Sequence, residues 1–291
     1  MTENTADINI NWFPGHMTKT KRQIEKILPI IDAVAEIVDA RVPISSRNPD
    51  LPDMIKGKPL IILLNKCDMA DPKETDKWIK YYKEQGVFAI PVDCKTGNGI
   101  GNFKNTVKTA LADRLQQYKD KGMAGKPLRV MVVGIPNVGK STFINKVAGS
   151  NRVKAENRPG VTRGNQWVTI DRQLELLDTP GVLWPKFEDP AVGLRLAFTG
   201  AIKDTVVDTE LLAVRLAERL KADYPELLTN RYNLVNLDGD GYDTLCAIGK
   251  KRGMVIRGGE TDTERASVML LEEFRNCKIG RISLERVENN A

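Results

Sequence analysis

Short runs of β-branched and aliphatic residues, each bounded by turn-forming residues, recur along the first two thirds of the chain: Ala33–Asp39, Leu60–Leu64, Val87–Val92, Leu128–Val133, Trp167–Ile170 and Leu174–Leu177. Near-continuous apolar runs of this length read as strands. Between several of them, Thr18–Leu28, Pro72–Gln85, Ile100–Tyr118 and Lys140–Ala148 are amphipathic helical stretches. Strands alternating with helices predict an α/β fold, a doubly wound, mostly parallel sheet with helices on both faces. Beyond Gly181 the pattern becomes helical only. Asp208–Leu220 places Leu211, Leu212, Val214, Leu216 and Leu220 largely on one face, and Thr263–Phe274 does the same with Ala266, Met269, Leu270 and Phe274. A helix needs one buried face to be stable, so these stripes read as bundle core rather than a ligand box. The polar segment Lys119–Pro127 reads as an exposed connection between two α/β portions.

The 291 residues suit two domains at about 150 residues each. The boundaries expected are an α/β domain from Met1 to about Trp184 (1–184) and a small helical domain from near Pro190 onward (190–291). Hydrophobic residues make up 41% and charged residues 28%, which excludes a disordered or fibrous chain. Cys67, Cys94, Cys246 and Cys277 include no C-x-x-C pair, and with one histidine they build no zinc framework. They read as reduced thiols of a cytoplasmic protein. The opening MTENTADININWF has neither a basic n-region nor an apolar h-region, and runs such as Leu60–Leu64 are too short to span a bilayer, so neither secretion nor membrane insertion is expected. The net charge of +6 is uneven: Met1–Gly181 carries 28 Lys and Arg against 20 Asp and Glu, Val182–Ala291 carries 16 against 18. That balance favours a polyanionic partner, although solvated lysines explain it about as well.

Gly134-Ile-Pro-Asn-Val-Gly139-Lys140-Ser141 is a full G-x-x-x-x-G-K-[ST] phosphate loop, set between a strand and a helix as that loop requires. Its glycines let backbone N–H groups and the helix N-terminus face phosphates, Lys140 reaches the β and γ oxygens, and the Ser141 hydroxyl ligates Mg2+. Gly134, Asn137, Val138, Gly139, Lys140, Ser141 and Thr142 are the nucleotide-binding residues expected here. Downstream, Leu174–Leu177 ends in Asp178-Thr-Pro-Gly181, where Asp178 can hold magnesium through water and the Gly181 N–H can touch a γ-phosphate. Between the two motifs Thr162 can complete the magnesium shell when a γ-phosphate is present. Asn65-Lys66-Cys67-Asp68 closes an earlier strand and selects guanine: Asp68 accepts from the ring N1–H and the exocyclic amine, while Asn65 and Lys66 brace the ring and the neighbouring loop. Leaving a buried carboxylate unpaired can reject the wrong base by roughly 10⁴-fold. Asp93-Cys94-Lys95, after Val87–Val92, fits the loop whose backbone N–H meets guanine O6.

These elements resemble the signature of translation-factor-related GTPases, but the base loops precede the phosphate loop, a circular permutation that Lys119–Pro127 could bridge. The switch segment Asp178–Pro185 then runs directly into the helical domain. Together with Asn11-Trp-Phe-Pro-Gly-His-Met17, Asp39-Ala-Arg-Val-Pro-Ile-Ser-Ser-Arg-Asn-Pro49 and the helical tail, the order is similar to the bacterial ribosome biogenesis GTPase A (YlqF-type) family over nearly the whole chain. The resemblance implies a GTPase that binds a late precursor of the large (50S) ribosomal subunit, including its rRNA, is stimulated by it and leaves after hydrolysis. It implies a cytoplasmic monomer away from membranes. Val182 and Leu183 follow D-x-x-G where small GTPases often carry a water-orienting glutamine. His16, an exposed loop residue on its own terms, matches the family's catalytic histidine, and Asn137 resembles an asparagine that coordinates K+. Candidate RNA contacts are Lys19, Lys21, Arg22 and Lys26, and Lys250, Lys251, Arg252 and Arg257, for each of which a solvated charged face is an equal explanation. A nucleotide-gated binding protein with little hydrolysis would share every motif, and a P-loop small-molecule kinase only the phosphate loop.

Overall fold

A computed structural model of the chain describes residues 22, 24–149, 166–179, 181 and 189–289. Of these, 22–181 together with 283–289 form one compact unit and 189–282 another. Return of residues 283–289 to the first unit differs from the two-part division expected from the pattern, in which everything after 190 was helical domain.

In the first unit, β1 (Ala33–Asp39), β2 (Leu60–Asn65), β3 (Phe88–Val92), β4 (Leu128–Val133), β5 (Gln166–Asp171) and β6 (Leu174–Asp178) form one sheet in the order β3-β2-β1-β4-β6-β5. All neighbours are parallel except the β5–β6 pair. From β1 the chain winds outward through β2 and β3, then returns to the other side of β1 as β4. The C-terminal edge near that reversal is where open α/β sheets bind ligands.

Every residue of β1 is buried, because helices cover both faces. On one face Val34, Met131, Val133 and Leu177 meet Leu51, Met54 and Ile55 of α1 (Leu51–Ile55), and Val38, Ile62 and Leu64 meet Trp78 and Tyr82 of α2 (Pro72–Glu84). Elsewhere α3 (Gly101–Ala110) and α5 (Lys140–Ala148) join through Phe103 and Phe143, whose rings meet edge-on at 4.9 Å. The single helix expected over Ile100–Tyr118 is interrupted at Leu111, after which α4 (Ala112–Asp120) follows. In α4, Tyr118 Oη lies 2.8 Å from Asp32 Oδ1 and Arg114 Nε 3.1 Å from it. Besides Asp39 at its end, β1 carries one carboxylate within its apolar run. Glu36, wholly buried, accepts from Arg47 Nε (2.9 Å) and the Asn48 N–H (3.0 Å), and burial raises its carboxyl pKa against the pull of Arg47.

The second unit contains α6 (Pro190–Phe198), α7 (Thr209–Asp223), α8 (Pro225–Tyr232), α9 (Gly241–Lys251) and α10 (Thr263–Arg275). Aspartates cap four of them: Asp189, Asp208, Asp240 and Asp262 each accept from a first-turn backbone N–H. The buried stripe of α7 is Leu212, Ala213, Leu216, Ala217 and Leu220, with Leu211 and Val214 only half-buried. It is turned from the leucine-centred stripe of the sequence, so that Ala213 and Ala217 share the buried face with Leu212, Leu216 and Leu220. Likewise α10 buries Ala266, Ser267, Leu270, Leu271, Glu273 and Phe274 while Met269 is half-buried. Among the described residues no helix is long and apolar enough to cross a membrane.

Candidate functional site

Three loops leave the C-terminal ends of β4, β2 and β3, and one side chain ties them together. Asn65 Nδ2 donates to the carbonyl of Val138 in the phosphate loop at 2.6 Å, and its Oδ1 accepts the N–H of Cys94 at 3.0 Å. An amide side chain is suited to this position because it donates on one side and accepts on the other. The base-selecting and phosphate motifs, far apart in sequence and in permuted order, therefore share one edge of the sheet.

The phosphate loop is shaped locally. Gly139 sits at φ 104°, and a Cβ there would fall 2.4 Å from Asn65 Nδ2, so only glycine satisfies both the backbone and its neighbour. Asn137 adopts φ 60°, a left-handed conformation that asparagine tolerates better than most residues. Buried Lys140 folds over the loop and donates to the carbonyls of Gly134 (3.0 Å) and Ile135 (2.8 Å). Burial draws its ammonium pKa down to about 8, against the attraction of Asp178. Val138 is buried, and Ser141 and Thr142 are half-buried in the first turn of α5.

Asp178, fully buried, ends β6 beside β4. The next residue, Thr179, anchors the turn by donating its hydroxyl to the carbonyl of Val132 at 2.7 Å. A Cβ on Gly181 would lie 2.9 Å from Lys140 Nζ and 3.0 Å from the Cα of Pro136, which places this glycine directly against the phosphate loop. Ser141 and Asp178 supply hard oxygen donors of the kind magnesium takes alongside nucleotide phosphates. Two residues assigned from sequence, His16 and Thr162, lie outside the described residues, as do Lys19 and Lys21.

At the base end, Asp68 is exposed and Lys66, at φ 61°, sends its ammonium to Asp39 Oδ2 at 2.9 Å. Burial lowers the Lys66 pKa, and Asp39 opposes that shift. Asp39 is itself gripped by Arg41 in a two-point fork, Nε to Oδ1 at 2.9 Å and Nη2 to Oδ2 at 2.8 Å. Burial alone would raise its carboxyl pKa, but Arg41 and Lys66 hold it far below the usual carboxylate range. Asp39 and Arg41 were legible in sequence only as part of a family run. The physical signal was a carboxylate at a strand's C-terminal edge followed two positions later by arginine.

The Asp93 carboxylate turns inward, accepting from the N–H groups of Lys95 (2.8 Å) and Thr96 (3.2 Å) and from the Thr96 hydroxyl, so it shapes the loop. Those donors lower its pKa against the effect of burial. The Cys94 N–H is engaged by Asn65 and the Lys95 N–H by Asp93, so a base oxygen arriving here must share a donor already in use. The Cys94 thiol is buried, which raises its pKa and makes it a poor nucleophile.

A phosphate loop, a D-x-x-G turn and an N-K-x-D loop on one doubly wound sheet, with the base loops earlier in the chain, define a circularly permuted P-loop GTPase. The family model described as 50S ribosome-binding GTPase matches residues 129–235. The chain is 46% identical over 280 residues to ribosome biogenesis GTPase A of Priestia megaterium, covering 96% of this chain and 97% of that one. It is 31% identical to the Thermotoga maritima protein of the same name, over 96% and 95% of the two chains. The solved structure of GNP-bound YlqF from T. maritima superposes with a TM-score of 0.64 at 29% identity, covering 93% of this chain and 99% of that one. A GDP-bound YlqF structure gives 0.62 at 28% identity, over 92% and 100%. The chain belongs to the ribosome biogenesis GTPase A family, and it is an enzyme that hydrolyses GTP to GDP and phosphate.

Proposed function

We propose that this GTPase acts on a precursor of the large ribosomal subunit, binding it with GTP and leaving after hydrolysis. The observation that carries the reading is that similarity to ribosome biogenesis GTPase A proteins spans 96% of the chain, helical unit included, and so exceeds what a shared nucleotide domain would give. Lys250, Lys251, Arg252 and Arg257 are all exposed at and beyond the end of α9, beside exposed Val255 and Ile256, and Arg22 and Lys26 are exposed on the other unit. These are suitable contacts for rRNA phosphates. In this reading residues 1–184 form the GTPase domain and 190–291 a helical RNA- or ribosome-binding domain of a cytoplasmic monomer.

Within the site, Gly134, Asn137, Val138, Gly139, Lys140, Ser141 and Thr142 cradle the phosphates. Ser141, Thr162 and Asp178 would hold Mg2+, which neutralises phosphate charge, and Gly181 reads the γ-phosphate. Asp68 and Lys66 meet the base, with Asn65, Asp93, Cys94 and Lys95 framing its pocket. Asn137 is the candidate K+ ligand. Val182 and Leu183 carry no group able to orient water, so the histidine of the Trp12-Phe13-Pro14-Gly15-His16 run takes that role, with Lys140 stabilising charge at the phosphates.

Sedimentation with large-subunit precursor particles tests the proposal. Co-sedimentation should be strong with a non-hydrolysable GTP analogue, weak with GDP and diminished by salt. His16→Ala should bind the particle normally yet lose about 10²-fold of particle-stimulated turnover. Binding indifferent to nucleotide would overturn the reading.

A further inference from the structure

Residues 283–289 return to the nucleotide-binding unit and lie along α2 and the loop after β1. Leu284 N–H donates to the carbonyl of Arg41 at 2.8 Å, Asp71 N–H to Ser283 Oγ at 3.1 Å, and Trp78 Nε1 to the carbonyl of Glu285 at 3.4 Å. At the centre is Glu285, whose side chain is directed into the loop. It is 2% exposed, and it accepts the N–H of Ile44 at 2.6 Å, the N–H of Ser45 at 3.0 Å and the Ser45 hydroxyl.

Those two amides belong to the turn that presents Arg41. The turn closes on itself through Ser46, whose N–H and hydroxyl both reach the carbonyl of Val42 while its Oγ accepts the N–H of Asp39 at 2.9 Å. From Asp39 the chain of contacts runs to Lys66: Asp39 Oδ2 accepts from Arg41 Nη2 and from Lys66 Nζ. A two-point Arg–carboxylate fork fixes the rotation of the carboxylate as well as its position. The fork therefore sets where Oδ2 points, and so where the Lys66 ammonium is held. Arg41 is 1% exposed and cannot keep that geometry if its turn relaxes.

We propose that Glu285 is a positioning residue for the guanine pocket, acting through the 39–46 turn and the Asp39–Arg41 fork on Lys66. The inference rests on the reading of Lys66 as a base-pocket residue. With one carboxylate oxygen lost or replaced by an amide NH2, the Ile44 and Ser45 N–H groups and the Ser45 hydroxyl compete for too few acceptors and the turn reorganises. Lys66 then samples other rotamers, and nucleotide affinity falls without damage to the phosphate end.

A double-mutant cycle with N-methylanthraniloyl-GDP on the full chain decides it. Glu285→Gln, which keeps the volume, should weaken binding about tenfold and leave turnover at saturating GTP within about twofold of the unmodified protein. In a Lys66→Ala background the same substitution should change affinity less than about twofold, because the route is already cut. A general loss of stability would lower the active fraction equally in both backgrounds and would not separate affinity from turnover. Equal effects in the two backgrounds, or unchanged affinity for Glu285→Gln, overturn the proposal. Unchanged affinity for Lys66→Ala alone overturns instead the reading of Lys66 on which it rests. If Glu285→Gln does not fold, Ser45→Ala removes one donor from the loop side, and it must show the same dependence on Lys66 with a loss of about threefold.

Discussion

The phosphate end and the base end of the site are held in different ways. The phosphate loop is a contiguous stretch whose shape comes from its own backbone, with Gly134, Asn137 and Gly139 at positive φ and Lys140 bonded to carbonyls of the same loop. The base end is assembled from distant segments. Lys66 reaches Asp39 across 27 positions, Asn65 reaches Cys94 across 29 and Val138 across 73, and Ser45 reaches Glu285 across 240. A locally encoded loop keeps its form wherever it is placed in a chain, whereas a pocket of long-range contacts depends on every contributing segment arriving. Permutation of the motif order is compatible with both, since the sheet brings the same strand ends together.

The sharpest way to isolate the base end is Asp68→Asn. GTP affinity should fall by about 10³-fold or more and xanthosine nucleotides should gain, because the amide offers a donor where the carboxylate offered an acceptor. Competition titration of the two nucleotides measures this, and unchanged GTP affinity would take Asp68 out of the base pocket. Gly139→Ala attacks both ends at once, through its φ of 104° and the 2.4 Å approach to Asn65 Nδ2. A loss of about 10²-fold in affinity for GDP is expected. A tolerated alanine would mean that the two ends are not interlocked.

A pH titration addresses the phosphate end alone. The Lys140 ammonium, lowered by burial to about 8, is neutral in the free protein above that pH, so binding phosphates there requires proton uptake. Affinity should fall about fivefold between pH 8 and 9, because half of the lysine is already neutral at pH 8. The linkage has the opposite sign for folding: between about pH 8 and the ordinary lysine range the unfolded chain binds the extra proton, so nucleotide-free stability rises with pH there. Lys140→Met should flatten both profiles, and an unaltered pH dependence in that variant would assign the proton elsewhere. The smallest effect is expected at Lys104, whose 2.8 Å pair with Asp171 is exposed on both sides. Lys104→Ala should change unfolding free energy by about 0.5 kcal/mol or less and leave nucleotide affinity alone.

The same contrast explains what could be read from sequence. The phosphate loop, N-K-C-D and D-T-P-G were legible because each packs its geometry into a few consecutive residues, and the strands they follow stood out as apolar runs. Less was visible where one segment is completed by another. Apart from their place in the family run, Asp39 and Arg41 look like ordinary residues at a strand end, the bonds by which Asp93 braces its own loop leave no mark in the sequence, and Glu285 looks like any charge beyond the last helix. The position of the α7 stripe was also missed, because Ala213 and Ala217 acquire their packing role only once a neighbour approaches. Short α1 gave no periodicity to detect, and Glu36 within an apolar strand gave no hint of Arg47 as its partner.

The return of residue 285 to the turn after β1 also orders events during synthesis. The base loops leave the ribosome first and the phosphate loop next, so most of the sheet can form while the helical unit is still being made. Its guanine pocket, however, keeps one brace missing through all of that time, since a contact spanning 240 positions forms only after both partners exist. Nascent chains that stop short of residue 285 carry a finished phosphate loop beside an unbraced lysine. With Glu285 in the positioning role proposed above, full grip on the nucleotide is among the final properties this protein would acquire.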